Sequence, residues 1–234
     1  MGRRPKEETA ETGNKKLDVI AKLVASMQVK HGKEAINFLG NKTVEPIPRL
    51  SSGSSIIDEV TGGGYPLGRI IELYGAESSG KSTACYHAIA EAQRAYPDKI
   101  CAYIDSEFSF DPNYAQKIGV NVGELLVSQP NSGEEAFGLC QSLLENDDVK
   151  ISLIIVDSVA AMLPRVEADE DDYSKNQMGL QARMMSKALR KLTSVVGRSG
   201  AVIIFTNQTR SKIGVMYGSP ECVTLDTMVE VVFD

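Results

Sequence analysis

The sequence predicts an α/β fold in which a mainly parallel sheet is flanked by helices and preceded by an N-terminal helix. Short runs rich in Ile and Val alternate with stretches of helical periodicity. Strands that are apolar throughout are typical of parallel sheets covered on both faces. A glycine-rich loop follows the first of these strands. With 234 residues, 42% of them hydrophobic, the chain has the size of one globular domain with small appendages.

The first part of the chain predicts one amphipathic helix and a connector. Apolar residues recur at helical spacing within residues 15–31, and Gly32 supplies a stop. These residues are Leu17, Ile20, Leu23, Val24 and Met27. Residues 44–68 are rich in Pro, Ser and Gly, which indicates a connector. Lys and Arg outnumber Asp and Glu in residues 1–50, although the whole chain carries a net charge of −6.

The following residues alternate predicted strands with predicted helices. Strands are expected at residues 70–74, 100–104, 151–156 and 201–206. Helical patterns cover residues 82–96, 133–145 and 178–196. In sheets of this kind ligands bind beyond the carboxyl ends of the strands, so functional residues are expected in the loops that follow them.

Composition argues against several classes of protein. No apolar run is long enough to span a bilayer, and residues 1–6 are not followed by the apolar stretch of a secretory signal. We therefore expect a cytoplasmic protein with no membrane partner. The four cysteines are far apart and form no CxxC pair, and the chain has two histidines as possible co-ligands. This pattern indicates neither a disulfide framework nor a zinc site.

A glycine-rich loop at residues 75–82 is the strongest functional signal. Its sequence, GAESSGKS, matches G-x-x-x-x-G-K-[ST] between a predicted strand and a predicted helix. In this motif, backbone N–H groups and the positive N-terminus of the helix face the phosphates of a nucleoside triphosphate, here ATP. Lys81 is expected to neutralise the β and γ phosphates, and Ser82 to hold Mg²⁺. The predicted nucleotide contacts are Gly75, Ala76, Glu77, Ser78, Ser79, Gly80, Lys81, Ser82 and Thr83.

Carboxylates and amides follow the other predicted strands. Cleavage of a nucleoside triphosphate needs a carboxylate for magnesium and a group that positions or activates water. Asp157 ends the run ISLIIVD and is expected to bind Mg²⁺, although a strand-end Asp is often a helix cap. Asp105 and Glu107 end ICAYIDSE, and Glu107 is the candidate general base, with a surface acid as the alternative. Asn207 and Gln208 are amides that could sense a γ-phosphate.

A long later segment contains basic residues and no acids. Asp and Glu are absent between Asp172 and Glu221. The cations of this window are Lys175, Arg183, Lys187, Arg190, Lys191, Arg198, Arg210 and Lys212. A run of charge is usually a solvated face, but so many cations without an acid mark a candidate phosphate-contacting surface.

Taken together, these segments resemble the bacterial RecA recombinase family over residues 17–221. The motifs are GRIIELYGAESSGKST, YIDSEFSFDPNYA, LIIVDSVAAMLP, MGLQARMMSKALRKL and NQTRSKIGVMYGSPE, in the family's order. The resemblance implies a RecA-type P-loop ATPase core that uses ATP and Mg²⁺. It also implies a homo-oligomeric filament on single-stranded DNA that exchanges strands with double-stranded DNA in repair. The N-terminal helix would be the polymerisation arm, and a helix packed on its own domain is the alternative.

The resemblance also assigns roles to individual residues. Glu107 would activate water, and Gln208 would link the γ-phosphate to the DNA-binding loops. Asp111 and Tyr114 would contact the adenine side of the nucleotide. Together with Lys81, Glu107 and Gln208 form the predicted catalytic set, and ATP would lie between neighbouring protomers.

Two DNA-binding loops are implied at residues 167–178 and 208–221, at the two ends of the acid-free window. By resemblance, Met178 and Ile213 would lie between groups of bases, although periodicity alone favours helix packing for Met178. The residues implied to contact phosphates are Arg183, Arg190, Arg210 and Lys212. Phosphate contacts carry little sequence information, so binding is expected to be sequence-tolerant and salt-sensitive. The first loop also contains five acids, which are expected to repel DNA locally: Glu167, Asp169, Glu170, Asp171 and Asp172.

The resemblance is expected to stop after Glu221, because Cys222 begins a different pattern. CVTLDTMVEVV resembles the start of an intein, whose first Cys attacks the preceding carbonyl to form a thioester. A chance tail is the alternative. The predicted divisions are residues 1–45, a polymerisation helix and linker; 46–221, an incomplete RecA-like core; and 222–234, an intein-like segment needing a C-terminal partner fragment. A nucleotide- and DNA-binding fragment without turnover, or a split-intein precursor half, are the alternative functions.

Overall fold

The computed structural model describes the backbone of residues 8–32, 36, 46–168, 179–208, 210–211, 221–222 and 229–233. Side chains are described for residues 17–32, 36, 46–168 and 179–208. The chain divides into two compact units, Met1–Pro46 and Ile47–Asp234. Among the described residues, no helix combines the length and apolar composition needed to cross a membrane.

The described part of the first unit contains one long helix, α1 (Glu8–His31). It begins earlier than the helix predicted from residue 15, because the polar residues before Lys15 continue the helix without adding apolar periodicity. Gly32 ends it with a φ of 96°, and its N–H donates to Gln28 O at 3.0 Å. Leu17, Leu23 and Met27 are exposed.

The second unit contains the sheet and the helices that cover it. Its first elements are β1 (Arg49–Leu50), α2 (Ser55–Thr61), β2 (Tyr65–Pro66), β3 (Ile70–Gly75), α3 (Lys81–Ala95), β4 (Ile100–Asp105), α4 (Pro112–Ile118) and β5 (Leu125–Ser128). The later elements are α5 (Gly133–Glu145), β6 (Ile151–Asp157), α6 (Arg165–Ala168), α7 (Leu180–Ser199), β7 (Val202–Gln208), β8 (Arg210–Ser211), β9 (Glu221–Cys222) and β10 (Val229–Phe233). Short 3₁₀ turns lie at Val122–Glu124 and Val159–Ala161.

The main sheet has six described strands in the order β10-β3-β7-β6-β4-β5, and every pairing is parallel. The predicted mainly parallel α/β sheet is therefore confirmed. Strands β5 and β10 were not predicted from the sequence. Of the described residues of β5, Leu126 and Val127 are exposed, so this strand lacks the continuous apolar burial of the others.

Two hydrophobic cores lie on the two faces of the sheet. Alternate residues of β6 enter different cores, because successive side chains of a strand point to opposite faces. Ile154 and Val156 join the core covered by α5 and α7, while Leu153 and Ile155 join the core covered by α3. Both faces of the strand are thus buried, as a continuous apolar run predicts.

The predicted connector at residues 44–68 is partly structured. It contains β1, β2 and α2, and Leu50 and Tyr65 are almost completely buried in the core beside α3. β1 and β2 pair in antiparallel fashion over two residues each. Such short strands carry no readable periodicity, which is why composition alone indicated a linker.

Candidate nucleotide-binding site

The glycine-rich loop joins the carboxyl end of β3 to the amino end of α3. Ser78 and Gly80 have φ values of 60° and 95°, and Ser79 N donates to Ala76 O at 3.3 Å. Positive φ is inexpensive for glycine, so Gly80 allows the tight entry into α3. The helix N-terminus therefore opens directly onto the loop, which is the arrangement that binds phosphate.

Lys81 is held inside the loop by its own backbone. Its Nζ donates to Ala76 O at 2.7 Å and to Gly75 O at 3.1 Å, with Ser79 Oγ at 3.5 Å. Among the described residues no carboxylate forms an ion pair with Lys81. In the described structure, the Lys81 ammonium group is therefore held by oxygen atoms of the loop.

Asp157 lies at the carboxyl end of β6 and is 4% exposed. Its Oδ2 accepts hydrogen bonds from Ser82 Oγ at 2.8 Å and from Tyr103 OH at 2.6 Å. Its Oδ1 accepts one from Thr206 Oγ1. Within the described part of the chain, no Lys or Arg lies within ion-pair distance of this carboxylate. Hydroxyl groups from three different elements thus hold Asp157.

The oxygen atoms of Ser82 and Asp157 fit a magnesium ion. Mg²⁺ prefers oxygen ligands and is usually bound by one or two carboxylates together with substrate phosphates. No group of three or more His, Cys, Asp or Glu side chains gathers as a metal site in the described residues. Ser82 and Asp157 supply two protein oxygens, which suits an ion that also takes oxygen ligands from a bound phosphate.

Glu107 follows β4 and its side chain is exposed. Ser158 Oγ donates a hydrogen bond to Glu107 Oε1. Ser158 directly follows Asp157, so this contact connects the candidate general base to the candidate magnesium carboxylate. A carboxylate in this position could accept a proton from water beside a bound phosphate.

Asp105 lies next to Asp157 in the sheet register, but its carboxylate accepts hydrogen bonds mainly from backbone N–H groups. Its carboxylate accepts hydrogen bonds from Ser109 N at 3.0 Å, Phe110 N at 3.2 Å and Gln129 Nε2 at 3.1 Å. It is completely buried. Asp105 therefore shapes the loop that carries Glu107.

These elements enclose a cavity of about 240 Å³ at the carboxyl edge of the sheet. Its lining residues are Glu77, Ser78, Ser79, Gly80, Lys81, Ser82, Thr83, Glu107, Asp157, Ser158 and Gln208. Most of the predicted nucleotide contacts thus come together with the predicted magnesium, base and sensor residues. Ser158 is the one lining residue that the sequence analysis did not single out.

Asp111 and Tyr114 lie beside this cavity and not in its lining. Asp111 caps α4, because its Oδ1 accepts hydrogen bonds from Asn113 N at 2.9 Å and Tyr114 N at 3.1 Å. Tyr114 OH lies 3.2 Å from Thr83 Oγ1 on α3. Tyr114 is partly exposed and close to the start of α3, where a base attached to loop-bound phosphates could reach it.

The two amides at the end of β7 have different surroundings. Gln208 lines the cavity. Asn207 is buried, and its Nδ2 donates to Glu72 Oε1 at 2.7 Å while its Oδ1 accepts from Gln208 N at 2.9 Å. Asn207 therefore supports Gln208 from within the sheet. Of the two amides considered as γ-phosphate sensors, Gln208 is the one that lines the cavity.

Tyr103 was missed by sequence reasoning. It lies in the middle of an apolar strand and is indistinguishable by pattern from a core residue. Burial, and next the charge of Asp157, raise the pKa of Tyr103 far above the ordinary value for a phenol. Its hydroxyl therefore stays protonated and remains a hydrogen-bond donor.

The basic residues of α7 form an exposed face. Arg183, Lys187, Arg190, Lys191 and Arg198 recur at helical spacing, and all are exposed. The opposite face buries Met185, Leu189, Leu192, Val195 and Val196. Met178, Lys212 and Ile213 lie outside the described residues, as do the side chains of Arg210 and Cys222. The backbones of Arg210 and Cys222 pair in the antiparallel strands β8 and β9.

Comparison with known proteins identifies relatives over nearly the whole chain. The model of the RecA N-terminal domain matches residues 18–230. The match continues past Glu221, where the sequence analysis expected the resemblance to stop. The chain is 48% identical over 219 residues to Protein RecA of Chloroherpeton thalassium, covering 93% of this chain and 60% of that protein.

Two further relatives have similar sequence identity to this chain and similar coverage. Identity to Protein RecA of Mesoplasma florum is 48% over 210 residues, which is 89% of this chain and 62% of that protein. Identity to Protein RecA of Corynebacterium jeikeium is 46% over 220 residues, which is 94% of this chain and 57% of that protein. The chain thus spans about three fifths of the length of the curated relatives it matches.

Proposed function

This chain belongs to the RecA N-terminal domain family, and on that premise we propose that it binds ATP with Mg²⁺ as part of a DNA-dependent ATPase. The proposed protein forms filaments on single-stranded DNA in the cytoplasm and exchanges strands with homologous double-stranded DNA during repair. Support comes from the names of the relatives and from the site at the carboxyl edge of the sheet.

One observation carries the proposal: the phosphate loop, a hydroxyl–carboxylate pair and a second carboxylate line a single cavity. These groups come from β3 and α3, from β6 and from the loop after β4. An ATPase of this class needs a phosphate cradle, oxygen ligands for magnesium and a group that activates water. Groups that meet all three requirements lie together at one edge of the sheet, which chance does not readily explain.

The proposed chemistry follows from the position of each group. Loop N–H groups and the N-terminus of α3 would bind phosphate oxygens, and Lys81 would exchange its backbone acceptors for the β and γ phosphates. Ser82 and Asp157 would hold Mg²⁺, which neutralises phosphate charge when bound. Glu107 would accept the proton of the attacking water. Gln208, supported by Asn207, would meet the terminal phosphate.

The exposed basic face of α7 supports the proposed DNA contact. Arg183 and Arg190 lie on this face, and no acidic residue occurs in α7. Cations on one face of a helix can follow a phosphate backbone without reading bases. Binding by this face is therefore expected to weaken steeply as the salt concentration rises.

The experiment compares ATP binding and hydrolysis by the chain and its Lys81→Ala variant, each with and without single-stranded DNA. Loss of Lys81 should lower ATP affinity and hydrolysis at least about 10-fold, because the loop would lack its charge for the terminal phosphates. Lys150→Ala is the matched control, since Lys150 is exposed and precedes the amino end of β6, away from the cavity.

The possible results separate the enzyme from a binding fragment. Equal ATP binding by the chain and Lys81→Ala would contradict the proposed site. Lysine-dependent binding without hydrolysis, with or without DNA, would favour a nucleotide-binding fragment without turnover.

We also propose that Cys222 is the nucleophile of an intein-like segment, supported by the likeness of residues 222–232 to an intein start. The family match also spans Cys222, so a chemical test is needed to distinguish an intein-like segment from a continuation of the family domain. With a C-terminal intein fragment and added thiol, mass spectrometry should detect cleavage after Glu221, and Cys222→Ala should abolish it. An intact chain under these conditions would contradict the proposal.

A further inference from the structure

Tyr103 donates a hydrogen bond to Asp157, the proposed magnesium carboxylate. The proposed chemistry assigns no role to this tyrosine. Its hydroxyl donates to Asp157 Oδ2 at 2.6 Å, and the same oxygen accepts from Ser82 Oγ at 2.8 Å. Thr206 occupies the other carboxylate oxygen. Asp157 is therefore held from β4 on one side and from β7 on the other.

The position of the Tyr103 hydroxyl is fixed by packing. The side chain is completely buried, and its ring centroid lies 4.9 Å from that of Phe110 and 5.8 Å from that of Tyr86. Tyr103 pairs with Ile155 in the register of β4 and β6, two residues before Asp157. A phenol enclosed in this way cannot turn away from the carboxylate without moving its neighbours.

Ser82 and Tyr103 differ in their relation to the proposed ion. The Ser82 oxygen is itself a proposed magnesium ligand, whereas the Tyr103 hydroxyl is not a proposed ligand and its described hydrogen bond goes to Asp157. Among the described residues no cation is placed to orient Asp157 in its stead. Tyr103 and Thr206 are the donors that hold the carboxylate without being proposed magnesium ligands themselves.

We propose that Tyr103 is a positioning residue, which holds the Asp157 carboxylate in the orientation that binds nucleotide-carried Mg²⁺. The inference rests on the proposed function, because it assumes that Ser82 and Asp157 form the magnesium site. Partners that orient metal ligands without touching the metal typically change metal affinity 10–100-fold when they are removed. Tyr103 acts on Asp157 and has no described contact of its own with the cavity.

The test is a titration of the full chain and its Tyr103→Phe variant with MgCl₂ at fixed ATP, following ATP binding by calorimetry. The variant keeps the ring and loses the hydroxyl. The Mg²⁺ concentration for half-maximal ATP binding should rise about 10-fold. ATP binding in EDTA should stay close to that of the unmodified chain, because the hydroxyl acts through the magnesium carboxylate; a purely structural role would weaken ATP binding with and without Mg²⁺ alike.

Tyr65→Phe is the matched control. Tyr65 is also buried, and its hydroxyl has no hydrogen-bond partner in the described structure, so the same chemical change should leave the Mg²⁺ midpoint unaltered. An unshifted midpoint in Tyr103→Phe would overturn the inference and leave the proposed function standing. A Tyr103→Phe chain that fails to fold would also overturn it, because the hydroxyl would then be structural. No ATP binding by the unmodified chain would overturn both proposals.

Discussion

Asp105 and Asp157 end adjacent strands and pair with each other in the sheet register, yet their carboxylates accept hydrogen bonds from different kinds of donor. Asp105 accepts from two backbone N–H groups and one amide of its surroundings. Asp157 accepts from three side-chain hydroxyls. Backbone donors fix a loop, whereas the hydroxyl donors to Asp157 include Ser82, whose oxygen is the second proposed magnesium ligand. The comparison teaches that the donors around a buried carboxylate indicate its task better than its burial does.

The comparison predicts the largest effect on catalysis at Asp157. Asp157→Asn removes the negative charge and one acceptor oxygen while preserving shape, so Mg²⁺-dependent ATP hydrolysis should fall about 100-fold or more. Steady-state hydrolysis at several Mg²⁺ concentrations measures this. Asp147→Asn, at an exposed acid, is the control. Near-normal hydrolysis by Asp157→Asn would remove Asp157 from the magnesium site.

Asp105 should instead control stability. Asp105→Ala leaves two backbone N–H groups and the Gln129 amide without their buried acceptor, and an unsatisfied buried group costs about 1–3 kcal/mol. We expect a loss of about 2–4 kcal/mol in the free energy of unfolding, measured by urea denaturation. If Asp105→Ala were as stable as the unmodified chain but unable to bind Mg²⁺, the assignment of the two aspartates would have to be exchanged.

The smallest effect is expected at Gln129. Gln129→Ala removes one of the three donors to Asp105 and should cost about 1 kcal/mol of stability. Gln141→Ala is a matched control, because Gln141 bonds only to Glu145 in its own helix among the described hydrogen bonds. A urea midpoint unchanged by Gln129→Ala would show that the two backbone donors alone satisfy Asp105.

Sequence reasoning predicted the parts of this molecule that local pattern determines. Uninterrupted apolar runs located β3, β4, β6 and β7, and the spacing of glycines and Lys81 located the phosphate loop. The short elements β1, β2 and α2 were missed because two to seven residues carry too little periodicity. α4 was missed although Asp111 and Pro112 form a readable helix start.

The remaining part of the site depends on register between distant strands. The contact of Tyr103 with Asp157 spans 54 positions in the sequence, and that of Asn207 with Glu72 spans 135. No local spacing reports such a pairing. Likewise, Asp105 and Asp157 look equivalent as strand-end acids, and their different donors become visible once the strands are aligned.

The strand that carries the phosphate loop has neighbours on both sides. β3 pairs with β7 and with β10, so Leu73 faces both Thr206 and Val231 in register. Its amides should therefore exchange slowly with deuterated solvent. Any cleavage that released the segment containing β10 would turn β3 into an edge strand. An edge of this kind is open to pairing with another chain.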